Sequence, residues 1–135
     1  MNETELKERT KQFALRVMKL VDAIPNTVAG RALGNRLIRS GTSVGANYRA
    51  ACRGRSKAEF IAKIGTVVEE ADECRFWLEL IMDGELMQHS LVDGLWKEAD
   101  ELTAIFVASA KTAGRSKVEN QQIQIKNRKS EIKNA

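Results

Sequence analysis

The sequence predicts an all-α fold, an antiparallel up-down-up-down four-helix bundle with a C-terminal tail. Three observations carry this. One stretch repeats apolar residues at alternating steps of four and three, the seam of a packed helix and not the alternation of a strand. Capping signals divide the chain into four long segments joined by short links. Turn and strand formers are scarce: the 135 residues contain one Pro, one Tyr and 5% aromatics, too few for an all-β domain. The length suits one domain with a real core.

The first helix is expected from about Glu3 to Ile24. Asn2 is its N-cap with Glu5 three residues on, and Pro25 stops it. Leu6, Phe13, Val17, Leu20 and Ile24 fall on one stripe. The second helix is expected from about Thr27 to Arg55, with Leu33, Leu37, Val44, Tyr48 and Ala51 on its apolar face. Ser40-Gly41-Thr42-Ser43 is its weak point, because glycine costs a helix about 1 kcal/mol against alanine, and a kink or break is expected there.

Ser56 and Glu59 form the S-x-x-E box that opens the third helix. Phe60, Ile64, Val67, Ala71, Cys74, Leu78 and Ile81 make its seam, and Gly84 is its C-cap. The fourth helix is expected from near Ser90, with Asp93 at the box position, to near Ala113-Gly114. Val92, Leu95, Ala99, Leu102 and Phe106 form its stripe. Residues 1–113 are thus read as the bundle. Residues 114–135, rich in Gln, Asn and Lys, are read as a mobile basic tail with at most transient helix.

The formal net charge of +4 belongs to the tail, which holds six Lys/Arg and two Asp/Glu; residues 1–113 hold sixteen of each. Within that neutral body the charge is divided. Residues 31–63 carry eight basic residues and one acid, whereas residues 69–101 carry two basic residues and eleven acids. Blocks of this kind pair within a subunit, pair between subunits, or face a charged ligand.

No apolar run approaches the roughly 18 residues of a membrane span, and the polar first residues do not read as a secretory signal. Cys52 and Cys74 sit far apart along the expected hairpin of helices two and three, well beyond the roughly 7 Å between Cα atoms that a disulfide tolerates. Reduced thiols and a cytoplasmic location are therefore expected, with Cys74 in the core. His89, the single histidine, has no Cys or His neighbours and reads as a surface residue, not a metal ligand. Glu69, Glu70, Asp72, Glu73 and Glu79 lack the inward Glu-x-x-His pairs of a di-metal bundle and read as a solvated or interface face. No phosphate-binding glycine loop or nucleophile elbow appears. The expectation is a protein that is not an enzyme, with no cofactor, metal or small-molecule substrate and no membrane association.

The arginines of the second helix are the main candidate site. At about 100° per residue, Arg31, Arg36, Arg39, Arg49 and Arg53 share one stripe roughly opposite the apolar face. Thr42, Ala46 and Ala50 on the same side are small. Three readings compete: a solvated face, a subunit contact in which arginines meet a neighbour's acidic block, and a nucleic-acid surface in which they meet phosphates. Lys126, Arg128, Lys129 and Lys133 of the tail are a second basic candidate. No aromatic residue is interleaved there to stack on bases.

Arg39-Ser40-Gly41-Thr42-Ser43-Val44-Gly45-Ala46-Asn47-Tyr48-Arg49-Ala50 resembles a signature of the bacterial four helix bundle protein family, the intervening-sequence proteins of large-subunit ribosomal RNA. Ile24-Pro25, Ser56-Lys57-Ala58-Glu59-Phe60-Ile61, Glu70-Ala71-Asp72-Glu73 and Trp77-Leu78-Glu79-Leu80 add to the match, which covers about residues 10–112. The resemblance implies a small four-helix bundle that assembles as a homopentamer. Some members are encoded within ribosomal RNA intervening sequences. A similar branch, the accessory protein of diversity-generating retroelements, presents a basic surface to nucleic acid and works with a reverse transcriptase. No catalytic residues carry over, and the tail lies outside the match.

Within the matched stretch, Gly41 and Gly45 have the four-residue spacing that lets two helices approach closely. Ser40, Thr42 and Ser43 are placed to bond the backbone. Asn47 is the candidate buried polar residue that would fix register. The functional expectation is a non-enzymatic oligomer that binds RNA or DNA as an accessory factor. The alternative is a homo-oligomeric scaffold in which the same arginines join subunits.

Overall fold

Side-chain chemistry at three helix starts sets the boundaries of the computed structural model, which describes the backbone of residues 1–134 and the side chains of residues 1–115. Asn2 Oδ1 accepts from the Glu5 amide at 2.8 Å and opens α1 (Glu3–Ala23). Thr27 Oγ1 accepts from the Gly30 amide and opens α2 (Val28–Cys52). Ser56 Oγ accepts from the Glu59 amide and opens α3 (Lys57–Asp83). These bonds satisfy amides that have no partner in the first turn of a helix. The fourth element is α4 (His89–Asn134).

Cross-helix pairs fix the topology. Val17 meets Gly41 and Thr10 meets Gly45, so α1 and α2 are antiparallel. Arg36 lies over Trp77 while Arg39 meets Glu73, which orders α3 against α2. Trp96 bonds Glu79 and Asp100 bonds Arg75, which orders α4 against α3. Arg9 grips Glu98 and Glu101, closing α4 onto α1. The result is the expected up-down-up-down bundle.

Every position of the seam from Ile64 to Ile81 is buried, as are Val92, Leu95, Ala99, Leu102 and Phe106 of α4. Leu6, Phe13, Val17 and Leu20 enter from α1, and Leu37, Val44, Tyr48 and Ala51 from α2. Tyr48 and Phe106 meet across the core with ring centroids 5.2 Å apart. Ile24, Leu33 and Phe60 are only partly buried, at the ends of their stripes.

Two local expectations are corrected. The second helix does not break at Ser40-Gly41-Thr42-Ser43; α2 is continuous through it. The hydroxyls bond within the helix, Ser40 Oγ to the Arg36 carbonyl at 3.0 Å, Thr42 Oγ1 to Ile38 at 2.7 Å and Ser43 Oγ to Arg39 at 2.6 Å. Such back-bonding can bend a helix without breaking it, and the missing Gly41 side chain is compensated by contact with α1. The fourth helix does not end at Ala113-Gly114 either, since α4 continues to Asn134. One glycine costs about 1 kcal/mol and does not stop a helix that no proline interrupts. The expectation of a mobile basic tail, including Lys126, Arg128, Lys129 and Lys133, falls on side chains outside the described residues.

Gly84 caps α3 with an ordinary φ of −79°, and the positive φ falls on Glu85 at 57°. The glycine is needed there for space: a Cβ at this position would lie 2.7 Å from the Leu80 carbonyl oxygen.

Candidate functional site

Between Val28 and Cys52, α2 contains no acidic residue. Its inner positions are buried against α1 and α3, so its charged side chains are left on the outside. Arg31, Arg36, Arg39, Arg49 and Arg53 are all exposed, as the helical spacing requires.

The tertiary structure divides these five. Arg31 donates to Asn26 Oδ1 at 3.0 Å, in the turn before α2. Arg36 leans onto α3 and places its guanidinium 5.3 Å from the centre of the Trp77 ring, within cation–π range. Arg39 meets Glu73 at 3.5 Å with both side chains well exposed, a pair of little energetic consequence. Arg49 and Arg53 make no ion pair with the described residues. Arg31 and Arg36 also form no ion pair with the described residues, so of the five only Arg39 faces an acid.

A groove of about 350 Å3 opens beside the α2–α3 turn. Arg53, Arg55 and Lys63 line it, with Ala62 and Thr66 on the α3 side. The acid on its wall, Glu59, is engaged: its Oε2 accepts from the Arg55 amide at 2.7 Å. Arg55 and Lys63 were not singled out from helical spacing. Arg55 lies in the turn, where no wheel applies, and Lys63 belongs to the next helix. The basic block over residues 31–63 was the available signal for both.

The packing residues of the same helix have a different role. A Cβ at Gly41 would lie 2.8 Å from Val17, and one at Gly45 would lie 3.1 Å from Thr10 Oγ1. The four-residue glycine spacing thus seats α1 of the same chain. Ser40 is fully buried, whereas Thr42 is exposed and Ser43 half-buried. Asn47 is not the buried register residue: it is half-buried, and its Nδ2 donates to the Ser43 carbonyl of its own helix at 2.9 Å. Among the described residues the buried polar side chains are Thr10, Ser40 and Thr103.

The neighbouring outer face, on α3 and α4, is acidic. Phe76 is 50% exposed at its centre, beside the partly exposed Leu80, with Glu69, Asp72, Glu79 and Asp83 exposed around it. Arg75 bonds Asp72 and, at 2.6 Å, Asp100. Glu70 is half-buried with one carboxylate oxygen unpartnered. Burial, followed by repulsion from Glu73, pushes its carboxyl above the ordinary range, and Arg39 only partly opposes this.

Among the described residues no group of three or more His, Cys, Asp or Glu is placed to hold a metal ion. His89 is exposed at the start of α4. Both cysteines are free thiols. No helix among the described residues is long and apolar enough to cross a membrane.

Comparison with known proteins adds the following. A family model described as 23S rRNA-intervening sequence protein matches residues 2–108. A solved structure from Bacteroides thetaiotaomicron, described as a protein with unknown function from the S23 ribosomal protein family, shares 29% identity at a TM-score of 0.76. The match covers 82% of this chain and 99% of that one. Comparison with curated proteins gave no match.

Proposed function

We propose that this chain, which belongs to the 23S rRNA-intervening sequence protein family, is a non-enzymatic accessory protein that binds RNA or DNA through the basic face of α2. The observation that carries the reading is that α2 and its C-cap Arg53 present five exposed arginines, with no acid in the helix. Arginines on a helix face meet phosphate oxygens through charge-assisted and often bidentate bonds. Little on this face reads bases, so the binding is expected to follow the backbone and to depend weakly on sequence. Such a role needs no cofactor, small-molecule substrate or membrane, and it places the protein in the cytoplasm with the nucleic acid.

Electrophoretic mobility shift with single-stranded and duplex RNA and DNA across a salt series tests this. Binding should weaken steeply as salt rises and should weaken again in Arg49→Ala/Arg53→Ala. No shift at the lowest salt would overturn it.

A second reading is supported by the charge separation between the α2 face and the acidic α3–α4 face around Phe76. In that reading the protein is a homo-oligomer, a pentamer, in which the arginines of one subunit meet the acids of the next. Light scattering distinguishes the two. Dissociation of an oligomer by Arg49→Ala/Arg53→Ala without change in residual nucleic-acid binding supports the scaffold; a monomeric wild-type protein overturns it.

A further inference from the structure

The groove at the α2–α3 turn has the chemistry of a phosphate grip. Arg53 ends α2, Arg55 lies in the turn and Lys63 stands on α3, so three cations from three consecutive segments converge on one concavity. None of the three forms an ion pair with the described residues. Among the described residues Glu59 is the only acid on the wall; its Oε2 accepts from the Arg55 amide, and its charge offsets one of the three cations. The volume of about 350 Å3 is at the lower end of small-ligand sites. It suits a phosphate or sugar-phosphate unit. No aromatic ring lines the groove to stack a base.

We propose that this groove binds phosphate esters and that, within the nucleic-acid reading on which it rests, it holds one backbone segment of the bound strand. Arg49, one helical turn before Arg53 and without an ion pair among the described residues, extends the same track along α2. The groove contributes grip without sequence preference. Arg55 and Lys63, both outside the arginine stripe, are its specific members.

Arg55→Ala/Lys63→Ala tests the groove without touching the stripe. Both side chains are exposed, and unchanged thermal unfolding confirms that the variant is folded. With fluorescein-labelled oligouridylate as probe, the double variant should lose about tenfold in affinity, with a salt slope shallower by about 1.4 for two lost single-strand phosphate contacts. Arg31→Ala, at the far end of α2, should change far less. Wild-type affinity and slope in the groove variant would overturn this proposal and leave the broader reading standing.

If the wild-type protein binds no oligonucleotide, the broader reading fails, and calorimetric titration with pyrophosphate decides the groove by itself. Pyrophosphate binding that Arg55→Ala/Lys63→Ala weakens supports a free phosphate ligand; no heat overturns the proposal. A change in oligomeric state with unaltered oligouridylate and pyrophosphate binding would assign the groove to a protein contact and overturn it as well.

Discussion

Cys74 Sγ donates to Ser40 Oγ at 3.3 Å, joining α3 to α2 where both side chains are fully buried. Burial pushes the Cys74 thiol up to about 12, so almost no thiolate forms at neutral pH. Cys52, more than three helical turns further along α2, is half-buried, about 18 Å away along the axis. Burial raises the Cys52 thiol as well, so thiol labelling of the native protein should show one cysteine that reacts slowly and one that reacts only on unfolding. Two thiols of equal reactivity in the native state would contradict this arrangement. Ser40→Ala should cost no more than about 1 kcal/mol, because the S–H is a weak donor.

The glycines should separate by what surrounds them. Gly41→Ala places a Cβ 2.8 Å from Val17 and should destabilise by about 1–3 kcal/mol. Val17→Ala in the same chain should recover part of that loss, a coupling that a double-mutant cycle measures. Gly65→Ala, with nothing within 4 Å of the added Cβ, should stabilise α3 by about 0.5–1 kcal/mol. Denaturant unfolding of these variants checks the order.

Arg9 holds the first helix to the last. Its Nε and one terminal nitrogen bond Glu98 at 2.9 and 2.6 Å, and that terminal nitrogen also meets Glu101 at 2.8 Å. Because the Arg9 and Glu98 side chains are largely screened from water at 22% and 16% exposure, the pair is worth more than a surface bridge. Arg9→Ala should cost about 1–2 kcal/mol and speed amide exchange in the first turns of α1 more than in α3. Uniform exchange changes would contradict a local clasp.

Glu70 makes stability depend on pH in a definite direction. Its native carboxyl is held above the ordinary 4.5 by burial and by Glu73, so the folded chain binds that proton more tightly than the unfolded one. The contribution is complete below about 4.5 and is lost as pH rises through the raised native value. Glu70→Gln should raise the thermal midpoint at neutral pH and flatten its pH dependence above 4.5. Parallel curves for variant and wild type would rule Glu70 out as the source.

The helical fold was largely legible because its information is local. Asn2, Ser56 and Pro25 mark helix ends through bonds within a few residues, and the spacing from Phe60 to Ile81 places one buried face whatever it packs against. Local rules misjudged two places. Gly41 reads as a weakness until Val17 occupies the space it leaves, and Gly114 reads as a stop although α4 runs through it. Asn47 reads as a register residue by its polarity, but its amide is satisfied inside its own helix, so it has no need of a partner across the core.

For the candidate site, the sequence by itself determined that α2 would show five arginines on one outer face, because helical periodicity alone sets which side a residue takes. Only the tertiary structure decided which of them are free. Trp77 and Glu73 come beside Arg36 and Arg39 because α3 folds back along α2, so the middle of the stripe has partners on the next helix. The same reversal brings Lys63 next to Arg53 and Arg55, gathering at the turn three cations that form no ion pair with the described residues. Charge at one position is a property of the residue; whether it is neutralised depends on neighbours that only chain reversal supplies.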